Sequence, residues 1–217
     1  MPTHRRDFLI SAAAGLSTAW FTANWPASLA ASAYARSAVL LDPPPKFKFF
    51  SEAQAVEVAA ITSRIIPSDD SPGAREAGAV YFIDSGLITI DPDSQPIYRD
   101  GLLQFQEGIH AMFPGVENFS TATIEQQDQF LHEFDPPAAA PSRRRRFSSS
   151  TNTFFETIRV HTIAAFLIDP ESEYAANGSG VGWKLIGRDP AHSFQPPFGF
   201  YDKNYPGWTP APEKTKS

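Results

Sequence analysis

Residues 98–112 read Tyr98-Arg99-Asp100-Gly101-Leu102-Leu103-Gln104-Phe105-Gln106-Glu107-Gly108-Ile109-His110-Ala111-Met112. Tyr98, Leu102, Phe105, Ile109 and Met112 recur at spacings of four, three, four and three, the repeat of one face of an α-helix. Pro114-Gly115 ends the run. The same repeat governs the neighbouring stretches. Before it, Ser51 is placed to cap a helix whose face is Ala55, Val58, Ile61 and Ile65, and Pro67 stops that helix. Ser71-Pro72 suits an N-cap and first helical position, which predicts a helix from Ala74 to about Asp84 with Val80, Ile83 and Leu87 on one side. After it, Thr123 and Gln126 form a capping-box pattern ahead of Ile124, Leu131 and Phe134, all expected to face inward. A last helix is predicted over Thr151 to Ile168, with Phe154, Ile158, His161, Ala165 and Ile168 aligned. No segment alternates as a half-buried strand does. The pattern predicts an all-α bundle of about five helices, followed by a long irregular C-terminal segment rich in proline and aromatic residues.

The N-terminal stretch has a different grammar. Arg5-Arg6 precede Asp7, Phe8 and Leu9; an apolar, alanine-rich run extends from Ile10 to Phe21; small residues close it at Ala31-Ser32-Ala33-Tyr34-Ala35. A positive start, an apolar middle and an Ala-x-Ala exit are the layout of an export signal. The paired arginines with Phe8 and Leu9 specify the twin-arginine type, whose passengers cross the membrane already folded. The apolar run falls short of the ~20 residues that span a bilayer. The organisation expected is therefore a signal over residues 1–35, a proline-stiffened linker over 36–50, a helical domain over 51–187 and an extended tail over 188–217. Ala30, Ala33 and Ala35 all suit the end of a signal.

Composition narrows the function classes. The formal net charge is −6, and Arg143-Arg144-Arg145-Arg146 is the one basic cluster, so the chain lacks an electrostatic footprint for nucleic acid. It contains no cysteine, which excludes c-type haem attachment, thiolate-held iron–sulfur clusters and a cysteine nucleophile in this chain. Its eighteen phenylalanines supply a core, an interface, or both. The glycines Gly178, Gly180 and Gly182 lack the preceding strand that a phosphate-binding loop needs. His110, His132, His161 and His192 fall on separate elements, without metal-site spacing. Asp69-Asp70 reads as a turn that caps backbone groups, or as a carboxylate pair. The stretch from Pro67 to Gly73 is an internal capping turn or a second interface.

Several strings resemble one family. Ile65-Ile66-Pro67-Ser68-Asp69-Asp70-Ser71-Pro72-Gly73-Ala74-Arg75-Glu76-Ala77-Gly78, running on to Phe82-Ile83-Asp84, is similar to the signature of the gluconate 2-dehydrogenase subunit 3 family. Tyr98 to Leu102 fits its next helix, and Asp169-Pro170, Tyr174 to Asn177 and Val181 to Gly187 follow in the family's order. The chain departs at Tyr174-Ala175-Ala176-Asn177, where the family has Tyr-Gly-Gly-Asn, at a short insertion before Tyr174, and in the tail from Ala191. The resemblance implies a small, cofactor-free, non-catalytic subunit of a periplasmic dehydrogenase complex at the outer face of the cytoplasmic membrane. In such complexes a large subunit binds FAD and oxidises a sugar, sugar acid or polyol. A c-type cytochrome subunit, carrying haem c, commonly passes the electrons on. Arg5, Arg6, Phe8 and Leu9 would address the pair to the twin-arginine translocase. Tyr174, Asn177, Gly182, Trp183, Gly187, Phe198, Tyr201 and Trp208 would face the partner. The competing readings are a free-standing periplasmic enzyme or small-ligand binder using Asp69, Asp70 and His161, and a scaffold for an unrelated partner.

Overall fold

The computed structural model describes residues 18–134 and 149–168. Those residues form six α-helices and two 3-10 turns, with no strand among them. The helices are α1 (Thr18–Leu40), α2 (Glu52–Ile65), α3 (Ala79–Thr89), α4 (Gln95–Met112), α5 (Ile124–Leu131) and α6 (Ser149–Leu167). The all-α expectation holds. The arginine run, the glycine cluster, His192 and the whole C-terminal tail lie outside the described residues.

Local chemistry sets the start of two helices. Ser51 accepts from the Gln54 N–H while the Gln54 side chain accepts from the Ser51 N–H, a reciprocal cap that starts α2. Thr123 and Gln126 do the same for α5. The α4 face is as the spacing predicts: Tyr98, Leu102, Phe105 and Ile109 are buried.

Phe105 is the hub of the core. Its ring lies 4.7 Å from Phe130, 5.3 Å from Phe134, 5.4 Å from Phe154 and 5.6 Å from Phe119, centroid to centroid. Edge-on and offset ring pairs of this kind add roughly 0.5–1.5 kcal/mol each beyond their buried area. Polar ties fix the periphery. Arg64 of α2 grips both Asp128 oxygens on α5 at 2.6 and 2.7 Å, and Glu57 accepts from the Ser120 hydroxyl and from its N–H at 3.2 Å.

Three expectations need correction. The third helix starts at Ala79, not Ala74. Residues 74–78 are a turn, closed by the Gly78 N–H on the Arg75 carbonyl (3.0 Å) and the Ala79 N–H on the Ala74 carbonyl (2.9 Å), with Gly78 at a left-handed φ of 68°. Ile124 faces solvent at 59% exposure, and Gln127 and Phe130 fill the inward positions of α5 instead. Ile124 directly follows the Thr123 cap, while Leu131 and Phe134 pack on the core as expected. The linker was placed too early, since Arg36 to Leu40 are helical.

The segment that read as an address also has a place in the structure. In α1, Ala31, Ala35 and Ala38 are buried, and the helix lies along α3. The boundary expected after Ala35 therefore falls inside a packed helix. Neither α1 nor any other described helix is long and apolar enough to cross a membrane.

Downstream of α1 the chain runs through residues 41–50 without helix and is pinned at one point. Asp84, fully buried on α3, accepts from the N–H groups of Lys48 (2.8 Å), Phe49 (2.9 Å) and Phe50 (2.9 Å). One carboxylate thus holds three successive amides that precede the Ser51 cap.

Candidate functional site

Two clusters of chemistry-bearing residues arise from this packing. The first joins α4, α6 and the Asp91–Ser94 turn. His161 projects from the apolar stripe of α6 and meets the fully buried Tyr98 of α4, with the Tyr98 hydroxyl 3.0 Å from Nδ1. The two rings stack at 5.8 Å with an interplanar angle of 8°. On its other side His161 Nε2 stands 3.3 Å from Asp91 Oδ2. The Ser94 hydroxyl donates to the same oxygen at 2.5 Å.

Burial pushes the Tyr98 hydroxyl well above its ordinary pKa of 10.0, so it stays an O–H donor. The Tyr98 hydroxyl lies within hydrogen-bond reach of His161 Nδ1, and His161 Nε2 faces Asp91 as a hydrogen-bond partner. That hydrogen bond, aided by Ser94 and opposed by burial, holds Asp91 below its usual range.

Tyrosine, imidazole and carboxylate in line could relay a proton, but only to something that reaches them. The adjoining cavity, lined by Phe82, Ile83, Gly86, Ile90, Asp91 and His161, has a volume of about 10 Å³. That is at the threshold for a single water and far below the ~300 Å³ of a small-molecule site. The Tyr98 hydroxyl, both His161 ring nitrogens, the Ser94 hydroxyl and Asp91 Oδ2 serve one another, so the arrangement functions as a buried tie between helices.

The second cluster is the turn over residues 66–78. Asp69 Oδ1 accepts from the Ser71 N–H (3.0 Å) and hydroxyl (2.9 Å), an Asx-type closure. Glu76 closes the turn from the other end, taking the Gly73 N–H at 2.8 Å, the Ser68 hydroxyl, and Arg75 Nε at 2.9 Å. Gly73 cannot carry a side chain here, because a Cβ would stand 2.5 Å from the Ile66 carbonyl oxygen. The stretch closes on itself as a hydrogen-bonded turn, with Ser68, Asp69 and Asp70 exposed.

Burial pushes the Glu76 carboxyl up, but the Ser68, Gly73 and Arg75 hydrogen bonds outweigh it and bring it down to about 2. A folded pKa below the ordinary 4.5 means that the stabilisation is complete above that pH and is lost as pH falls towards 2. Discounted for its partial exposure, the effect is about 1–2 kcal/mol. Glu76→Gln should therefore unfold at lower urea than the parent at pH 7, and the gap between the two midpoints should close by about pH 2–3. A gap that is independent of pH would remove the carboxylate from the account.

Of the residues expected to act together, the structure does not assemble Asp69, Asp70 and His161. Asp69 serves its own turn, Asp70 is exposed beside it, and His161 belongs to Tyr98 and Asp91. His110 turns its Nδ1 to the Val116 carbonyl at 3.2 Å. No group of three His, Cys, Asp or Glu able to hold a metal converges among the described residues. The export residues Arg5, Arg6, Phe8 and Leu9 lie outside the described residues. So do the interface candidates Tyr174, Asn177, Gly182, Trp183, Gly187, Phe198, Tyr201 and Trp208.

Sequence reasoning passed over Asp84 and Asp91. Asp84 did leave a signal: it is a lone acid between Ile83 and Leu87 in the apolar helix Ala79–Thr89, and a buried carboxylate must find donors.

Against known proteins, residues 52–190 match the family model described as gluconate 2-dehydrogenase subunit 3. No curated protein and no solved structure matches.

Proposed function

The chain belongs to the gluconate 2-dehydrogenase subunit 3 family, and from that membership we propose a non-catalytic accessory role in a periplasmic, FAD-dependent dehydrogenase complex. The large subunit holds the FAD and oxidises a sugar, sugar acid or polyol. A c-type cytochrome subunit takes the electrons to the membrane, which the present chain touches only through the complex. This chain carries the twin-arginine address for both, and it supports the maturation and stability of the flavoprotein.

The family match over 52–190 carries the reading. The geometry supports it from the other side. The residues that a free-standing enzyme would have used are divided between two internal ties, and the space beside His161 is too small for a sugar.

The test is purification of the tagged, full-length chain from its native host, with the eluate scanned for flavin absorbance and assayed with sugars, sugar acids and polyols plus an artificial electron acceptor. A yellow eluate with a larger partner and dye-reducing activity is expected. A colourless single chain under gentle conditions would defeat the complex. Replacing Arg5-Arg6 by Lys-Lys should leave both this chain and the flavoprotein in the cytoplasm, read by fractionation and flavin content. A flavoprotein that still reaches the periplasm would defeat the escort role while leaving the complex intact.

A further inference from the structure

The residues that read as a cleavage exit are those that seat α1. Ala31 (2% exposed), Ala35 (1%) and Ala38 (0%) follow at four and three residues, one side of a helix, and Ala33 faces solvent between them. On the opposing element Gly78 permits the approach. Its φ is 68°, and a Cβ there would stand 2.8 Å from the Ala35 carbonyl oxygen and 3.0 Å from Val39 Cγ2. Tyr34, one residue before, meets Tyr81 of α3 edge-on at 6.4 Å and lies under the Lys48 ammonium at 4.3 Å. Lys48 is in turn fixed by its backbone bond to Asp84. The contact thus joins α1, α3 and the 41–50 segment through interlocking groups.

A signal peptidase needs an accessible stretch with small residues ahead of its cut. Each of the three suitable ends has a buried small residue in its small-x-small pair, Ser28 for Ala30, Ala31 for Ala33 and Ala35 itself, so each would require that part of the helix to open. We infer that the C-terminal half of α1, from Ser28 onward, is a permanent element of the folded subunit and not part of a removable leader. Under the export reading above, on which only the cellular arm of the test rests, a passenger that folds before transport seats this helix before any peptidase meets it.

The test has two arms. In the first, the wild-type chain with a C-terminal tag is recovered from the periplasm of its native host, and its intact mass is measured. An N-terminus at or before Ser28 is expected; one at Ala31, Tyr34 or Arg36 overturns the inference. In the second, full-length Ala35→Leu and Ala33→Leu are produced in the cytoplasm and melted beside the parent. Ala35→Leu forces a larger side chain into the α1–α3 contact and should lower Tm by about 5–10 °C, whereas Ala33→Leu on the solvent side should stay within about 1 °C. Identical melting of all three chains overturns the inference. A wild-type chain that never leaves the cytoplasm defeats the export proposal instead, and the melting comparison then decides this one.

Discussion

Asp84→Ala should lower the stability of the full-length chain by about 2–4 kcal/mol, the largest loss expected from any polar position described. The carboxylate takes three backbone N–H groups at 2.8–2.9 Å, and alanine leaves all three without an acceptor. An orphaned buried donor costs about 1–3 kcal/mol. The sum stays below three such terms, because Lys48 is exposed and Phe49 half-buried, so water can reach two of the amides. Removing the charge also relieves its own desolvation. Asp84→Asn keeps one acceptor oxygen and should fall between parent and alanine. Urea midpoints read this order, and limited proteolysis gives an independent check, since residues 41–50 should become the first site cut in Asp84→Ala. Equal midpoints for all three chains would show that these amides are satisfied without Asp84.

Gly101→Ala should cost a similar amount, about 2–4 kcal/mol, for the opposite reason. A Cβ at Gly101 would stand 2.2 Å from Phe154 Cγ and 2.4 Å from its Cβ. No rotamer change relieves a clash with the first atoms of a side chain, and Phe154 is itself held edge-on by Tyr98 at 5.5 Å and by Phe105 at 5.4 Å. Helices α4 and α6 would have to separate, breaking core packing in which overfilling by one methyl typically costs 1–3 kcal/mol and occasionally more. The diagnostic is a double-mutant cycle with Phe154→Gly, because alanine there would keep the Cβ that stands 2.4 Å from the new methyl. The single losses should be strongly non-additive, because the new methyl enters the space that the missing side chain leaves. Additive losses would mean that Gly101 serves helix geometry alone.

The helices and their faces were legible because they are local. The reciprocal caps at Ser51–Gln54 and Thr123–Gln126 are chemistry within four residues, and the α4 stripe from Tyr98 to Ile109 is a repeat that any window of the chain displays. The misplacements also have local causes. Ser71-Pro72 is a good helix start, but Gly78 takes a left-handed φ of 68°, which an α-helix cannot pass through, so the helix starts at Ala79. A pattern of eight residues, as in α5, carries too few turns to fix which side faces inward, and Ile124 was misassigned for that reason.

By itself, then, the sequence determined an all-α chain, its caps, most of its buried faces and, through residues 65–84 and 98–102, its family. Periodicity says that a side chain is buried but not against what. Only the tertiary structure decided that His161 completes Tyr98 and Asp91 and not Asp69 and Asp70, that Asp84 holds the 48–50 amides, and that Ala35 seats a helix on Gly78. Each of those pairings joins groups separated by more than thirty residues, and which such groups meet is fixed by how the helices cross.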